Sequence, residues 1–162
     1  MATLSGVETQ AYYYRNLGRC HVISQFSKPS LFYSFSVYFF LECQNYKNLT
    51  SADRNVNYGK SGVECDADIV PGWFRYQGEA GTQMATTCPP NWSCNSGANG
   101  WMKGELPSVA DGRVTRMACF QFNNQCCFYF KYIQVRNCGE YYVYYLNGTP
   151  DNKCYVRYCG SD

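Results

Sequence analysis

The chain has 162 residues, 11 cysteines, 16 tyrosines, 10 phenylalanines and a formal net charge of only +2. That length allows one ordinary domain, or a compact module with an appended segment, but not two domains. With a near-neutral balance and lysines and arginines scattered, in no run and no aromatic-interleaved stripe, no nucleic-acid partner is expected. Ten cysteines, Cys43, Cys65, Cys88, Cys94, Cys119, Cys126, Cys127, Cys138, Cys154 and Cys159, fall in the last 120 residues and are an even set suited to five bridges, which points to an oxidising, extracellular setting. Zinc is disfavoured, because there is no C-x-x-C pair and the single histidine, His21, lies far from the cysteine-rich part.

Residues 1–42 do not read like the rest. The apolar run Leu31 to Leu41 is interrupted by Ser34, Ser36 and two tyrosines and is followed by Glu42-Cys43 without a small-residue cleavage pattern, so it makes a poor secretory signal. It is also too short to cross a bilayer, which needs about 20 residues. The expectation is that residues 1–42, with the lone Cys20, are an atypical segment, either not native to the domain or a late signal-like anchor, and that the domain occupies residues 43–162. Membrane attachment would come only through parts of the protein outside this sequence.

From Cys43 onward the pattern is β. Gly72-Trp73-Phe74-Arg75-Tyr76 is an aromatic run bounded by turn residues and reads as a strand. The stretch Asn95 to Gly104, with its glycines, reads as a loop, and Leu106 to Ala110, with Pro107 in its first turn, is the best candidate for a short helix. Val114 to Phe122 and Phe128 to Arg136 read as strands, the second with clear period-two alternation. Tyr141 to Leu146 is rich in β-formers and runs into Asn147-Gly148, which predicts a hairpin returning through Cys154 to Tyr158. The expected fold is a small, all-β, disulfide-rich extracellular domain with short strands, long loops and at most a short helix.

The residues offer little to catalysis. With no histidine after Cys43, neither a Ser-His nor a Cys-His pair can be built within the domain. Its carboxylates are scattered over loops, and the densest group, Glu64, Asp66 and Asp68, lacks the glycine and distal glutamate of a calcium loop. No enzyme activity, cofactor or metal is expected. Three N-glycan acceptor patterns are present at Asn48-Leu49-Thr50, Asn91-Trp92-Ser93 and Asn147-Gly148-Thr149. Alternation sends Tyr142 and Tyr144 to one face of their strand and Tyr141 and Tyr145 to the other; Tyr142 and Tyr144 are taken as the outward pair and candidate contact patch.

From Cys43 to Cys159 the chain resembles the ten-cysteine extracellular domain, eight-cysteine in its shorter form, of uromodulin and the pancreatic secretory granule membrane glycoprotein. The resemblance is carried by Gly72-Trp73-Phe74-Arg75-Tyr76, Ala80-Gly81-Thr82, Cys88-Pro89, Cys94, Gly100-Trp101, Leu106-Pro107-Ser108-Val109 and Val114-Thr115-Arg116. It continues through Ala118-Cys119, Cys126-Cys127, Val135-Arg136-Asn137-Cys138, Tyr141-Tyr142-Val143-Tyr144 and Arg157-Tyr158-Cys159. It implies the pairing Cys43 with Cys138, Cys65 with Cys154, Cys88 with Cys126, Cys94 with Cys159 and Cys119 with Cys127. It further implies a non-enzymatic secreted or cell-surface glycoprotein whose N-glycans engage microbial lectins or extracellular proteins in innate recognition. A structural protein-interaction module of the extracellular matrix is the second expectation.

Overall fold

The computed structural model describes residues 40–59, 62 and 64–162, together with the backbone of 14–16 and 19–21. The chain divides into two compact units, Met1–Leu41 and Glu42–Asp162. In the first, β1 (Tyr14–Asn16) and β2 (Arg19–His21) pair antiparallel with Arg15 opposite Cys20. Most of the apolar run from Leu31 lies outside the described residues.

The second unit is strand-dominated, with β3 (Lys47–Leu49), β4 (Gly72–Tyr76), β5 (Gln83–Met84), β6 (Ala98–Lys103), β7 (Arg113–Phe122), β8 (Gln125–Asn137), β9 (Tyr142–Leu146), β10 (Val156–Tyr158) and β11 (Gly160–Ser161). Seven of these form one sheet in the order β10-β6-β7-β8-β9-β4-β3, and β11 pairs with β5 in a separate two-stranded ladder. The pairs at the two edges, β10 with β6 and β3 with β4, are parallel, and the pairs between them are antiparallel.

One face of this sheet makes the core. Leu49, Phe74, Tyr76, Phe120, Ile133, Val135, Tyr144, Leu146, Val156 and Tyr158 are buried there with Ala80 and Met84. Burying each large apolar side chain contributes about 1.5–3 kcal/mol. The rings meet edge to face, Tyr76 on Tyr144 at 5.6 Å and Phe120 on Tyr158 at 5.1 Å, the geometry their quadrupoles favour. The Tyr158 hydroxyl donates to Gly148 O at 2.8 Å, so this core tyrosine keeps its polar end satisfied.

Three local expectations are corrected. The glycine-bearing stretch after Asn95 contains β6, an interior strand, and Gly100 is there because space demands it: a Cβ at that position would lie 2.6 Å from Arg157 O and 2.7 Å from the Phe120 ring. The stretch Leu106 to Ala110 is not helical; Asp111 Oδ2 accepts from both Ser108 N and Ser108 Oγ and closes a turn in its place.

The expected hairpin at Asn147-Gly148 does not form. A two-residue hairpin turn of the favoured kind needs both central residues at positive φ, and only Gly148 has it. The chain instead passes through a short turn at Pro150–Asn152, in which Asp151 and Asn152 both take positive φ, to the opposite edge of the sheet, where β10 aligns parallel to β6. The two-residue hairpin is elsewhere, between β7 and β8, where Asn123 (φ 48°) and Asn124 (φ 61°) take the left-handed conformation that asparagine tolerates.

Candidate functional site

Five bridges fasten the loops to this frame. They join Cys43 to Cys138, Cys65 to Cys154, Cys88 to Cys126, Cys94 to Cys159 and Cys119 to Cys127, with Cα–Cα distances between 4.7 and 5.7 Å. Cross-linking of this density belongs to a secreted or cell-surface protein, and the domain is extracellular. Among the described residues no helix is long and apolar enough to cross a membrane.

Buried ion pairs supplement the bridges. Asp66, one of the acidic trio, is spent on structure: its two oxygens accept from both terminal nitrogens of Arg54 at 2.7 Å, and Oδ2 also accepts from Tyr158 N at 2.8 Å. Arg157 Nη2 donates to Asp53 Oδ1 at 3.0 Å. Burial pushes the Asp53 carboxyl up, but hydrogen bonds from Arg157, Ser51 and Asn95 outweigh it and hold the group well below the usual carboxylate range. Glu42 is buried against Arg136 at 2.5 Å and Arg113 at 3.1 Å. Its burial likewise raises the carboxyl, and its own main-chain amide with these two guanidinium groups lowers it further than burial lifts it. Among the described residues no group of three or more His, Cys, Asp or Glu is placed to hold a metal ion.

The three acceptor asparagines are exposed but differ in their surroundings. Asn48 sits on the edge strand β3 with Thr50 exposed beside it. Asn147 follows β9, its carbonyl accepting from Lys131 Nζ at 2.7 Å, while Thr149 is buried and donates to Lys153 O. Asn91 is tethered at both ends of its carboxamide, which accepts from Gln121 Nε2 and donates to Asn124 Oδ1, and Ser93 beneath it is buried.

The tyrosine patch is corrected. Tyr144 is fully buried, its hydroxyl accepting from Met84 N at 3.1 Å, and Tyr142 packs at the core margin with its hydroxyl accepting from Asn137 Nδ2 at 3.2 Å. The alternation was right in period, but the side that carries Leu146 turns inward, and Tyr142 and Tyr144 go with it. Tyr145 lies on the other face, edge-on to Trp73 at 5.6 Å, with Arg113 over the Trp73 ring. Nearby Tyr141 stacks on Arg75 at 3.9 Å and donates to Cys43 O.

A row of exposed aromatics lies on β8, where the sequence pattern was read only as a strand. Phe128, Phe130 and Tyr132 of β8 are 40, 55 and 60 % exposed, and Phe130 and Tyr132 alternate with the inward Ile133 and Val135. Their signal was available in the i, i+2, i+4 spacing of three aromatics within one strand.

Comparison with known proteins places this arrangement. The family model of the uromodulin-like, eight-cysteine domain matches residues 74–160. The pancreatic secretory granule membrane major glycoprotein of Rattus norvegicus is 40% identical over 72% of this chain and 22% of its own length. Uromodulin of Mus musculus is 41% identical over 72% of the chain and 18% of its own length, and the pancreatic glycoprotein of Homo sapiens is 36% identical over 72% of the chain and 21% of its own length. The chain therefore spans about a fifth of the length of these relatives. With the family match covering more than half of the sequence and all five bridges formed within the strand-dominated unit, the chain belongs to the uromodulin-like, eight-cysteine domain family.

Proposed function

We propose that the domain is a non-enzymatic glycoprotein module that presents N-glycans to microbial lectins, acting as a decoy in innate recognition. The observation that carries this reading is the exposure of the acceptor asparagines Asn48 and Asn147 on a frame made rigid by five bridges. A rigid scaffold costs little ordering entropy when a lectin engages its glycans. The non-enzymatic reading is supported by Glu42 and Asp53, two carboxylates held below their usual range, being engaged within the fold by Arg113 and Arg136 and by Arg157 respectively. Asn91 is the weakest display position, because its carboxamide is already held by Gln121 and Asn124.

The second reading, a protein-interaction module of the extracellular matrix, is favoured by the exposed row Phe128, Phe130 and Tyr132. One experiment separates the two. The domain is secreted from animal cells, and adhesion of bacteria bearing lectin-type adhesins is measured before and after enzymatic removal of N-glycans and in Asn48→Gln with Asn147→Gln. Loss of adhesion is the result expected for display. Adhesion that survives deglycosylation and falls on Phe130→Ser would transfer the function to the aromatic face.

A further inference from the structure

A cleft of about 490 Å³ opens between residues 56–59 and 90–93. The first segment contributes Asn57 and Tyr58 to its lining, and the second contributes Pro90, Asn91 and Trp92. Among the described residues, no lysine, arginine, aspartate or glutamate lines it. Trp92 is 60 % exposed, an unusual state for the largest apolar side chain, and its φ of 64° lies in the left-handed region that a bulky residue avoids. Cys94 and Asn95 follow it at φ 42° and 56°. Such a backbone persists only where its surroundings over-determine it, and clusters of this kind collect at ligand-binding sites.

The surroundings do over-determine it. The Trp92 wall is fastened at both ends, by Cys88–Cys126 and Cys94–Cys159, and Asn99 Nδ2 holds Pro90 O at 2.9 Å. Gln121 and Asn124 fix the Asn91 carboxamide. The opposite wall is fixed by Val56 N donating to Gly160 O at 2.9 Å, Tyr58 N to Asn55 O at 3.0 Å and Asn57 N to Asn55 Oδ1 at 3.0 Å. Both walls are formed before any ligand arrives, which removes most of the ordering cost of binding.

We infer that this cleft is a binding site for a neutral saccharide. The C–H face of a pyranose ring is apolar and stacks on indole and phenol rings, while its hydroxyls each donate and accept. A carboxamide offers one donor group and one acceptor oxygen, so the exposed Asn57 matches neighbouring sugar hydroxyls in both senses, while Asn91, held by Gln121 and Asn124, shapes the wall. A proline-rich peptide, the other customary guest of an aromatic cleft, presents acceptors but few donors, because proline has no N–H, and would leave the Asn57 carboxamide oxygen unpaired. The inference goes beyond glycan display and does not rest on it.

The test uses the full chain in a Ser93→Ala background, which removes the acceptor pattern at Asn91 and leaves its carboxamide in place. Chitotriose, a linear mannotriose and N-acetyllactosamine are titrated separately and followed by tryptophan fluorescence and by saturation-transfer NMR. Saturable binding of at least one is expected, with the fluorescence response lost in Trp92→Asn, a variant chosen because asparagine tolerates the left-handed backbone. NMR affinity should fall at least tenfold in Trp92→Asn and severalfold in Asn57→Ala, with all five bridges intact by non-reducing mass spectrometry. If Trp92→Asn does not fold, the exposed Asn57→Ala carries the decision. No binding by any of the three sugars, affinity unchanged in the folded variants, or binding of a decaproline peptide in their place would each overturn the inference.

Discussion

Arg54 and Asp66 face each other in a two-pronged ion pair, both nitrogen–oxygen distances 2.7 Å, with less than a tenth of either side chain open to solvent. Arg54 also donates to Tyr158 O at 2.9 Å, so the pair ties the segment between β3 and β4 to β10 at the far edge of the sheet. The guanidinium is held more firmly protonated than usual by Asp66, against the opposing effect of burial. Removing one partner of such a pair leaves a buried charge without compensation and costs about 3–5 kcal/mol. Asp66→Asn is expected to lower stability by that amount in chemical denaturation with the bridges intact, while the joint replacement Arg54→Met with Asp66→Leu recovers a large part of it.

Acid should unfold the domain through Glu42 and Asp53. Both carboxyls lie below their ordinary values in the folded state, so their contribution is complete above an unfolded value of about 4 and is lost as pH falls through the lowered folded values. Denaturant midpoints are expected to hold steady from about pH 7 to pH 5 and to decline below about pH 4. In Glu42→Gln the decline should be shallower, and a curve parallel to the parent would remove Glu42 from the account.

Gly100 and Gly97 lie three residues apart and should respond differently to alanine. At Gly100 the new methyl group meets Arg157 O at 2.6 Å and the Phe120 ring at 2.7 Å, whereas at Gly97 the nearest atom is 3.4 Å away. Overpacking of this kind costs about 1–3 kcal/mol, so Gly100→Ala should lower the thermal midpoint clearly. Gly97→Ala should stay within about 1 kcal/mol of the parent. Differential scanning calorimetry of the two variants decides it.

The bridges should contribute unequally. Cys43–Cys138 spans 95 residues and Cys119–Cys127 only 8. On loop-closure entropy the first restrains the unfolded chain by about 4.7 kcal/mol and the second by about 2.5 kcal/mol. Replacing each pair by serines and measuring unfolding in urea should give a difference of about 2 kcal/mol in that order.

The strands that could be read from the sequence are those whose side chains announce their environment. β4 begins and ends where its aromatic run meets turn residues, and β7 and β8 were found within a few residues from their apolar alternation. β6 was missed because its glycine answers to Arg157 and Phe120, neighbours distant in sequence, and not to any local turn. Asn147-Gly148 carried the stronger turn pattern, yet Asn123-Asn124 makes the hairpin, because the chain after Leu146 is drawn across the sheet by Cys65–Cys154 and the Asp66 contacts to β10. Which face of β9 turns inward was likewise decided by its partners, with Tyr144 captured between Tyr76 and Met84. The cleft beside Trp92 was invisible for the same reason: its two walls are about 35 residues apart in the chain.

The position of β10 has a consequence for biogenesis. This strand is made from Val156–Tyr158 but lies beside β6, and two of the five bridges await Cys154 and Cys159. As the polypeptide emerges during synthesis, β6 therefore has an unpaired flank, and Cys65 and Cys94 have no correct partner, until the final stretch of the domain has been delivered. Pairings so distant in sequence form slowly and expose the nascent chain to wrong cross-links in the interval. Closure of Cys65–Cys154 and Cys94–Cys159 accordingly waits on the stretch that carries Cys154 and Cys159, whereas the other three bridges have both their cysteines before it.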